Sequence, residues 1–576
     1  MKGVPLSRKK RKIKKARKPK DRLPFLFYLL IVFLLIIGGR LVFIQTVEAE
    51  RFDGLAEEQR LTKIKLIPER GIIYDRNKEV LAISLDKDTI YANPKQIKQS
   101  KKTVLAGKLA SILNENKGEM YDKLIQDSGF VYLKRKVDKD VSEKVRKLNV
   151  EGIGFLPESQ RYYPGQNIAS HILGFVGLDN DGLTGIELSR DAHLKGKPGQ
   201  LIMEQDLAGR PIPGGQYRLR KPTHGSDLVL TIDKEIQYKA QVELKKAVKK
   251  WKASGGGIVV MNSKTGEVYA MANYPTYNLN KFGKTDPELF KSRAISDLYE
   301  PGSTMKIVTA AAALEEKLYS PSTALNLPGT IQVGGYTIHE AHERGAQVFT
   351  FEEIVTRSSN IGAVVLGQSL GKERLYKYIE IFGLTAMTGV ELPQEGQGYT
   401  PPTDTWSDST IANIPFGQGL SATSMESIRA INVIASGGRL VSPRFIMNKS
   451  DAKKGNNSKE NQAELGKQVI SPGTAKTMAR IMTAAVTSGT GKQATIKGYQ
   501  VAGKTGTAQK ARTDGRGYDP GKYISSFIGF TPAADPELTI LVALDEPTEA
   551  IYGGVVAGPT FSAVGEYALQ RLRIQP

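Results

Sequence analysis

Three short stretches hold residue types that together can carry out serine acyl transfer. They are Ser303-x-x-Lys306 in "YEPGSTMKIVTAAAALEE", Ser358-x-Asn360 in "SSN", and Lys504-Thr505-Gly506-Thr507 in "VAGKTGTAQK". A serine hydroxyl is a poor nucleophile at neutral pH and needs a base beside it. A lysine can be that base only when its amine is neutral, a state that burial and a neighbouring cation both favour. Lys306 is the candidate base and Lys504 the candidate neighbour. Ser358 and Asn360 can bridge the two amines and relay a proton. Thr505 and Thr507 offer hydroxyls to a carboxylate, and the backbone of their strand offers an N–H to a developing oxyanion. Such a site works without histidine, of which the chain has five.

Each motif alone is weak. Ser-x-x-Lys also occurs at Ser7/Lys10, Ser84/Lys87 and Ser450/Lys453, and Lys-Thr-Gly recurs at Lys264–Gly266. Position separates them. Ser303 stands at the start of an alanine-rich helical stretch, where residues three apart share a face and the first N–H groups are free. The same position also suits an ordinary N-cap serine. Ser84 lies in a strand-like segment, where residues three apart point to opposite sides. Ser7 lies in a basic tail, Ser450 in a polar loop, and Lys264 in a hairpin turn. His339-Glu340-Ala341-His342-Glu343 lacks the His-Glu-x-x-His spacing of a zinc site and reads as a polar turn.

The elements that must hold these residues follow from patterning. "GGGIVVMNSKTGEVYAMANYP" (255–275) reads as two strands around a turn, and "FTFEEIVTRSSNIGAVVLGQSL" (349–370) as two helical pieces broken near Ser358. "VAGKTGTAQK", "ISSFIGF" and "LTILVAL" read as three strands, the last two joined as a hairpin across "TPAADPE". Upstream, Pro68–Pro94 reads as β-hairpin, Thr46–Lys65 as a helix, and Lys101–Val150 as helical. "THGSDLVLTIDKEIQYK" (223–239) passes from strand to helix. Asn448–Lys467 is a polar loop of low hydrophobicity.

The net charge of +22 invites a nucleic-acid reading. However, close to half of the excess sits in "MKGVPLSRKKRKIKKARKPKDR", directly before the apolar run Leu23–Ile44. A run of about 20 apolar residues spans a bilayer, and a basic flank keeps the preceding end in the cytoplasm. Arg40 can snorkel to the far interface. The run is long for a signal peptide and no small-residue cleavage site follows it, so it reads as an uncleaved anchor with the rest of the chain outside. There is no cysteine, which excludes disulfides, thiolate zinc sites and cysteine nucleophiles.

The ordered set "YEPGSTMK", "SSN" and "VAGKTGTAQ" resembles the penicillin-binding proteins, whose three motifs also mark β-lactamases. "RGIIYDRNKEVLA", "RYYPGQNIASHILGFVG", "GLTGIELSRD" and "GQGLSAT" extend the resemblance to the class B, monofunctional transpeptidases over almost everything after the apolar run. "PTYNLN" (275–280) departs from the usual Asp-Pro-Asn, and Ser292 stands where Asn is common. The resemblance implies an α+β fold: an antiparallel sheet flanked by helices, on an elongated non-catalytic pedestal with one N-terminal membrane helix. The implied division is tail 1–22, anchor 23–44, pedestal 45–235 and transpeptidase domain 236–576. Arg70, Asp75, Arg76, Arg161 and Glu187 would be structural charges of the pedestal.

By the same resemblance, Ser303 would attack the D-Ala-D-Ala bond of a peptidoglycan stem peptide. Lys306 would take its proton, Ser358 would pass one to the leaving amine, and Asn360 would align donor and lysine. Lys504, Thr505, Gly506 and Thr507 would hold the terminal carboxylate, and the N–H groups of Ser303 and Thr507 would form the oxyanion hole. β-Lactams would mimic the donor. No cofactor, metal or nucleic acid is implied. A polytopic glycosyltransferase and other division proteins would be partners at the cytoplasmic membrane, most like the division-specific (FtsI-type) branch. Elongation and sporulation enzymes, a penicillin sensor and a β-lactamase are the alternatives. For a β-lactamase, Glu391 or Glu395 would have to activate water.

Overall fold

In the computed structural model, which describes residues 23–204, 206, 212, 217–447, 466–512 and 517–576, the apolar run forms one helix, Leu23–Thr46, without a single buried side chain. At 1.5 Å per residue it is about 36 Å long, enough to cross a bilayer. The helix runs two residues beyond the expected span. The basic tail and nearly all of the polar loop Asn448–Lys467 lie outside the described residues.

The segment after this helix corrects one expectation. A helix covers Ala49–Arg60, but Leu61–Leu66 is a strand rather than the helix's continuation. Its last four residues, "KIKL", alternate polar and apolar with period two. It pairs antiparallel with Gly199–Glu204, which pairs in turn with Tyr217–Arg220. A second correction falls within Lys101–Val150. Helices occupy Gln99–Leu113, Lys117–Ile125 and Lys139–Arg146, but Val131–Val137 is a strand. Leu133 and Val137 are buried on one face of it, and it joins the long strand Val80–Ala92. Tertiary pairing overrides local helical spacing here.

The expected hairpin is present, with Ile73–Tyr74 pairing with Val80–Ala92. Asp75 makes its turn by accepting the N–H groups of Asn77 (2.7 Å) and Glu79 (2.8 Å). Asp75 also accepts Lys234 N–H, and Asn77 donates to Asp233, the N-cap of helix Lys234–Trp251. Arg76 lies over the Tyr269 ring at 4.1 Å and pairs with Glu267. These contacts tie the hairpin to the first strands of the catalytic half. Arg70 and Arg161 both grip Glu187, Arg161 at 2.7 Å, and Arg70 also reaches Asp191 at 2.6 Å. The side chains of Arg70, Arg161 and Glu187 are each 2% exposed or less.

The catalytic half is built on a five-stranded antiparallel sheet. Its order is Val268–Tyr274, Gly255–Asn262, Leu538–Asp545, Tyr518–Thr531, Ala502–Ala511. "IVVM" is apolar at every position because both faces are covered. Ile258 and Val260 pack toward the helices Lys234–Trp251 and Gly558–Arg571. Val259 and Met261 pack toward the helices Met305–Glu315 and Ser424–Ala435. Every residue from Met305 to Ala313 is buried. The small side chains "TAAAA" let neighbouring helices pack closely around this one.

Glu187→Ala leaves two buried guanidinium groups without their shared counter-charge. The expected loss is about 3–5 kcal/mol, seen in scanning calorimetry of the full chain as a lower unfolding temperature; an unchanged transition would remove this network from the account of the pedestal.

Candidate active site

Ser303 sits in a 3₁₀ turn, Gly302–Thr304, that runs directly into the helix Met305–Glu315. It is half-buried, and neither helical segment has a side-chain cap, so Ser303 is not serving as an N-cap. The turn is fixed by two glycines. Gly302 (φ 55°) donates its N–H to Gly417 O at 3.0 Å. Gly417 has φ 90°, and a Cβ there would lie 2.0 Å from Gly302 O. Thr304 Oγ1 donates to Pro301 O at 2.7 Å.

Lys306, one turn on, is 2% exposed. Its ammonium donates to Ser358 O (2.7 Å), Ser358 Oγ (3.2 Å) and Asn360 Oδ1 (2.7 Å). Ser358 lies between helices Phe351–Thr356 and Asn360–Leu370 with φ 61°, left-handed backbone that costs a non-glycine residue about 1–2 kcal/mol. That conformation aims its carbonyl and its hydroxyl at the same lysine. Ser359 caps the following helix through Gly362 N–H.

Lys504 reaches the same hydroxyl from the other side, at 2.8 Å. It is 1% exposed and also meets Thr505 O (3.1 Å) and Thr505 Oγ1 (3.3 Å). Thr505 Oγ1 pairs with Thr490 Oγ1, and Thr507 Oγ1 accepts Gly553 N–H at 3.1 Å. The strand Ala502–Ala511 is the sheet's last strand, paired on one side only. A Cβ on Gly506 would meet Ser526 Oγ at 2.3 Å and Thr304 Cγ2 at 3.1 Å, so glycine lets this strand lie close against the Ser303 turn. Ser303, Asn360 and Thr507 open onto one cleft of about 310 Å³, walled by Tyr336–His339 and by Asn413, Phe416 and Gln418.

Burial governs the electrostatics. It lowers Lys306 from the usual lysine range to about 7, partly opposed by the negative charge of Glu340. Burial also lowers Lys504 strongly, and the neighbouring Lys306 lowers it further. Two amines this close around one hydroxyl resist carrying two charges.

Glu340 is a residue that sequence reading missed. The expected polar turn is there, but Glu340 Oε2 accepts Asn360 N–H at 2.6 Å, Oε1 accepts Ser359 Oγ, and Arg344 pairs with it at 2.7 Å. His339 O accepts Asn360 Nδ2 at 3.0 Å. No spacing rule links positions 20 residues apart across a hairpin. The other expected carboxylates lie elsewhere: Glu391 accepts Phe445 N–H and Glu395 accepts Thr388 N–H, and neither lines the cleft. The second Lys-Thr-Gly is a hairpin turn whose Lys264 pairs with Asp535 and Glu537.

A serine at a helix mouth, two buried lysines and an edge strand across an α+β domain define a serine acyl-transfer class of site. Residues 256–566 match the family described as penicillin binding protein transpeptidase domain, and residues 65–230 match the penicillin-binding protein dimerisation domain. The chain belongs to the penicillin-binding protein transpeptidase family. It is 34% identical to stage V sporulation protein D of Bacillus subtilis over 97% of this chain and 86% of that one. It is 31% identical to peptidoglycan D,D-transpeptidase FtsI of Escherichia coli over 95% and 91%. A crystal structure of penicillin binding protein 3 from Mycobacterium tuberculosis, complexed with aztreonam, superposes with TM-score 0.68 at 31% identity, covering 89% of this chain and 98% of that one.

Gly417→Ala combines a forbidden approach to Gly302 O with left-handed strain of about 1–2 kcal/mol. Labelling by a fluorescent penicillin is expected to slow about tenfold or more with the circular dichroism spectrum unchanged; labelling at the parent rate would show that this contact does not set the Ser303 turn.

Proposed function

We propose that the protein is a class B peptidoglycan D,D-transpeptidase acting through an acyl-enzyme on Ser303. The observation that carries this reading is the single hydroxyl of Ser358 held between two buried lysines, one a helical turn behind Ser303 and the other on the strand bordering the cleft. The terminal carboxylate of a donor stem peptide binds at Lys504, Thr505, Gly506 and Thr507. Its negative charge raises the affinity of Lys504 for a proton, which leaves Lys306 neutral as the base. Ser303 Oγ then adds to the carbonyl carbon of the penultimate D-Ala as its proton passes to Lys306. The N–H groups of Ser303 and Thr507 receive the oxyanion.

The C–N bond breaks as Ser358 Oγ gives its proton to the leaving amine of the last D-Ala, and Lys306 returns a proton to Ser358. A hydroxyl that accepts an N–H from each of two lysines keeps its own hydrogen free for this transfer. Asn360 aligns the donor and Lys306. An amine on a second stem peptide attacks the ester, forms the cross-link and frees Ser303. A β-lactam follows the first half of this path and stays attached. A β-lactamase reading would need a carboxylate beside the ester, and Glu391 and Glu395 are engaged elsewhere.

The chain divides as tail 1–22, anchor 23–44, pedestal 45–235 and catalytic domain 236–576, with the N-terminus in the cytoplasm and the rest outside. Its cellular role is septal wall synthesis in division, alongside a polytopic glycosyltransferase that meets the anchor helix and pedestal. Similarity to FtsI supports that role, and similarity to a stage V sporulation protein supports a second reading, spore wall synthesis. Depletion in the host is expected to give filaments without septa. Normal vegetative growth with failed sporulation would select the second reading, and rounded cells would indicate elongation.

Intact-mass measurement of the full chain with benzylpenicillin is expected to show one added drug mass, absent in Ser303→Ala. Because the base must be neutral and Lys306 is lowered to about 7, the acylation rate should rise with pH through a midpoint near 7. An adduct that persists in Ser303→Ala, or a rate flat from pH 5 to 9, would count against this mechanism.

A further inference from the structure

Asn360 is held by more than its own helix. Its side-chain N–H₂ donates to His339 O, so its Oδ1 must face the opposite way, onto Lys306. Its backbone N–H donates to Glu340 Oε2. The other Glu340 oxygen takes the hydroxyl of Ser359 and the guanidinium of Arg344. The Glu340 side chain is 7% exposed, so it places a buried negative charge one residue away from Lys306, through Asn360. Burying a carboxylate costs free energy unless every oxygen is engaged, and here both oxygens bind the Ser358–Asn360 segment. An N-cap role alone would not require this, because Ser359 already caps the helix.

We propose that Glu340, with Arg344 as its partner, is a positioning residue for acyl transfer: it locks Asn360 onto Lys306 and supplies the counter-charge that sets which of the two active-site lysines carries the proton. This rests on the reading of Ser303 as the acylated nucleophile. Lys306, on the helix Met305–Glu315, feels the charge of Glu340, and Lys504, on the edge strand, feels that of Lys306. Arg344, His339, His342 and Glu343 share the segment of Glu340. Arg357 lies over the same Phe349 ring as Arg344 and pairs with Glu353. Glu340 is the carboxylate whose attraction opposes the effect of burial on Lys306. Removing its charge therefore makes Lys306 easier to deprotonate, and removing Arg344 makes it harder.

The test is the pH dependence of benzylpenicillin acylation of the full-length protein in detergent, followed by intact mass, for the parent, Glu340→Gln and Arg344→Gln. In Glu340→Gln the rising limb is expected to move down by about one pH unit. In Arg344→Gln it is expected to move up by a smaller amount. Melting temperatures report whether each variant is folded. A merely structural role predicts a lower plateau with an unmoved midpoint, or midpoints moving in the same direction in both variants; either result overturns the proposal. Failure of the parent protein to acylate would instead overturn the Ser303 reading on which the proposal rests.

Discussion

Two lysines buried around one serine hydroxyl are the constraint on which the rest of this structure depends. Placing an ammonium group where it is 2% exposed costs several kcal/mol unless it is fully hydrogen-bonded or gives up its proton. Lys306 meets that demand with a carbonyl, a hydroxyl and an amide oxygen, and Lys504 with two hydroxyls and a carbonyl. Their acceptors come from segments far apart in the chain, so the whole domain must close correctly before either amine is satisfied. The strained φ of Ser358 belongs to the same bargain, because it turns two acceptors of one residue toward one lysine.

Close backbone approach then sets the Ser303 turn against the edge strand that carries Lys504. Gly302, Gly417 and Gly506 stand where a Cβ would strike a neighbouring strand or turn, and together they let the edge strand, the Ser303 turn and the Gly417–Thr423 segment share one cleft. The sheet behind them is rigid because alternate residues of each central strand enter separate cores on its two faces. The alanine-rich helix runs through one of those cores, which fixes the depth at which Ser303 emerges.

The pedestal is held by another set of buried charges. Arg70, Arg161 and Glu187 bring together segments on either side of the three helices between Gln99 and Arg146. Asp75 and Arg76 hold the first hairpin to Asp233, Lys234, Glu267 and Tyr269, where the catalytic half begins. The helix Leu23–Thr46, by contrast, buries no side chain among the described residues, as suits a helix long and apolar enough to cross a bilayer.

Local order was legible in the sequence wherever one segment carries its own physics. The apolar run, the hairpin around Asp75, the Ser303 helix and the three final strands follow from length, period and turn residues. Ser303, Lys306, Ser358, Asn360 and Lys504 stood out because their types suit one chemistry and their contexts separate them from the repeats at Ser84 and Lys264. What local pattern missed depended on pairing at a distance. Leu61–Leu66 and Val131–Val137 are strands because distant partners accept their backbone groups. Glu340 reaches Asn360 only after a hairpin folds back over the helix mouth. Sequence by itself determined which residues could react. The tertiary structure alone decided which amines are dry, which oxygens they share and how their charge is balanced, because desolvation and hydrogen bonding depend on distance in space and not on separation along the chain.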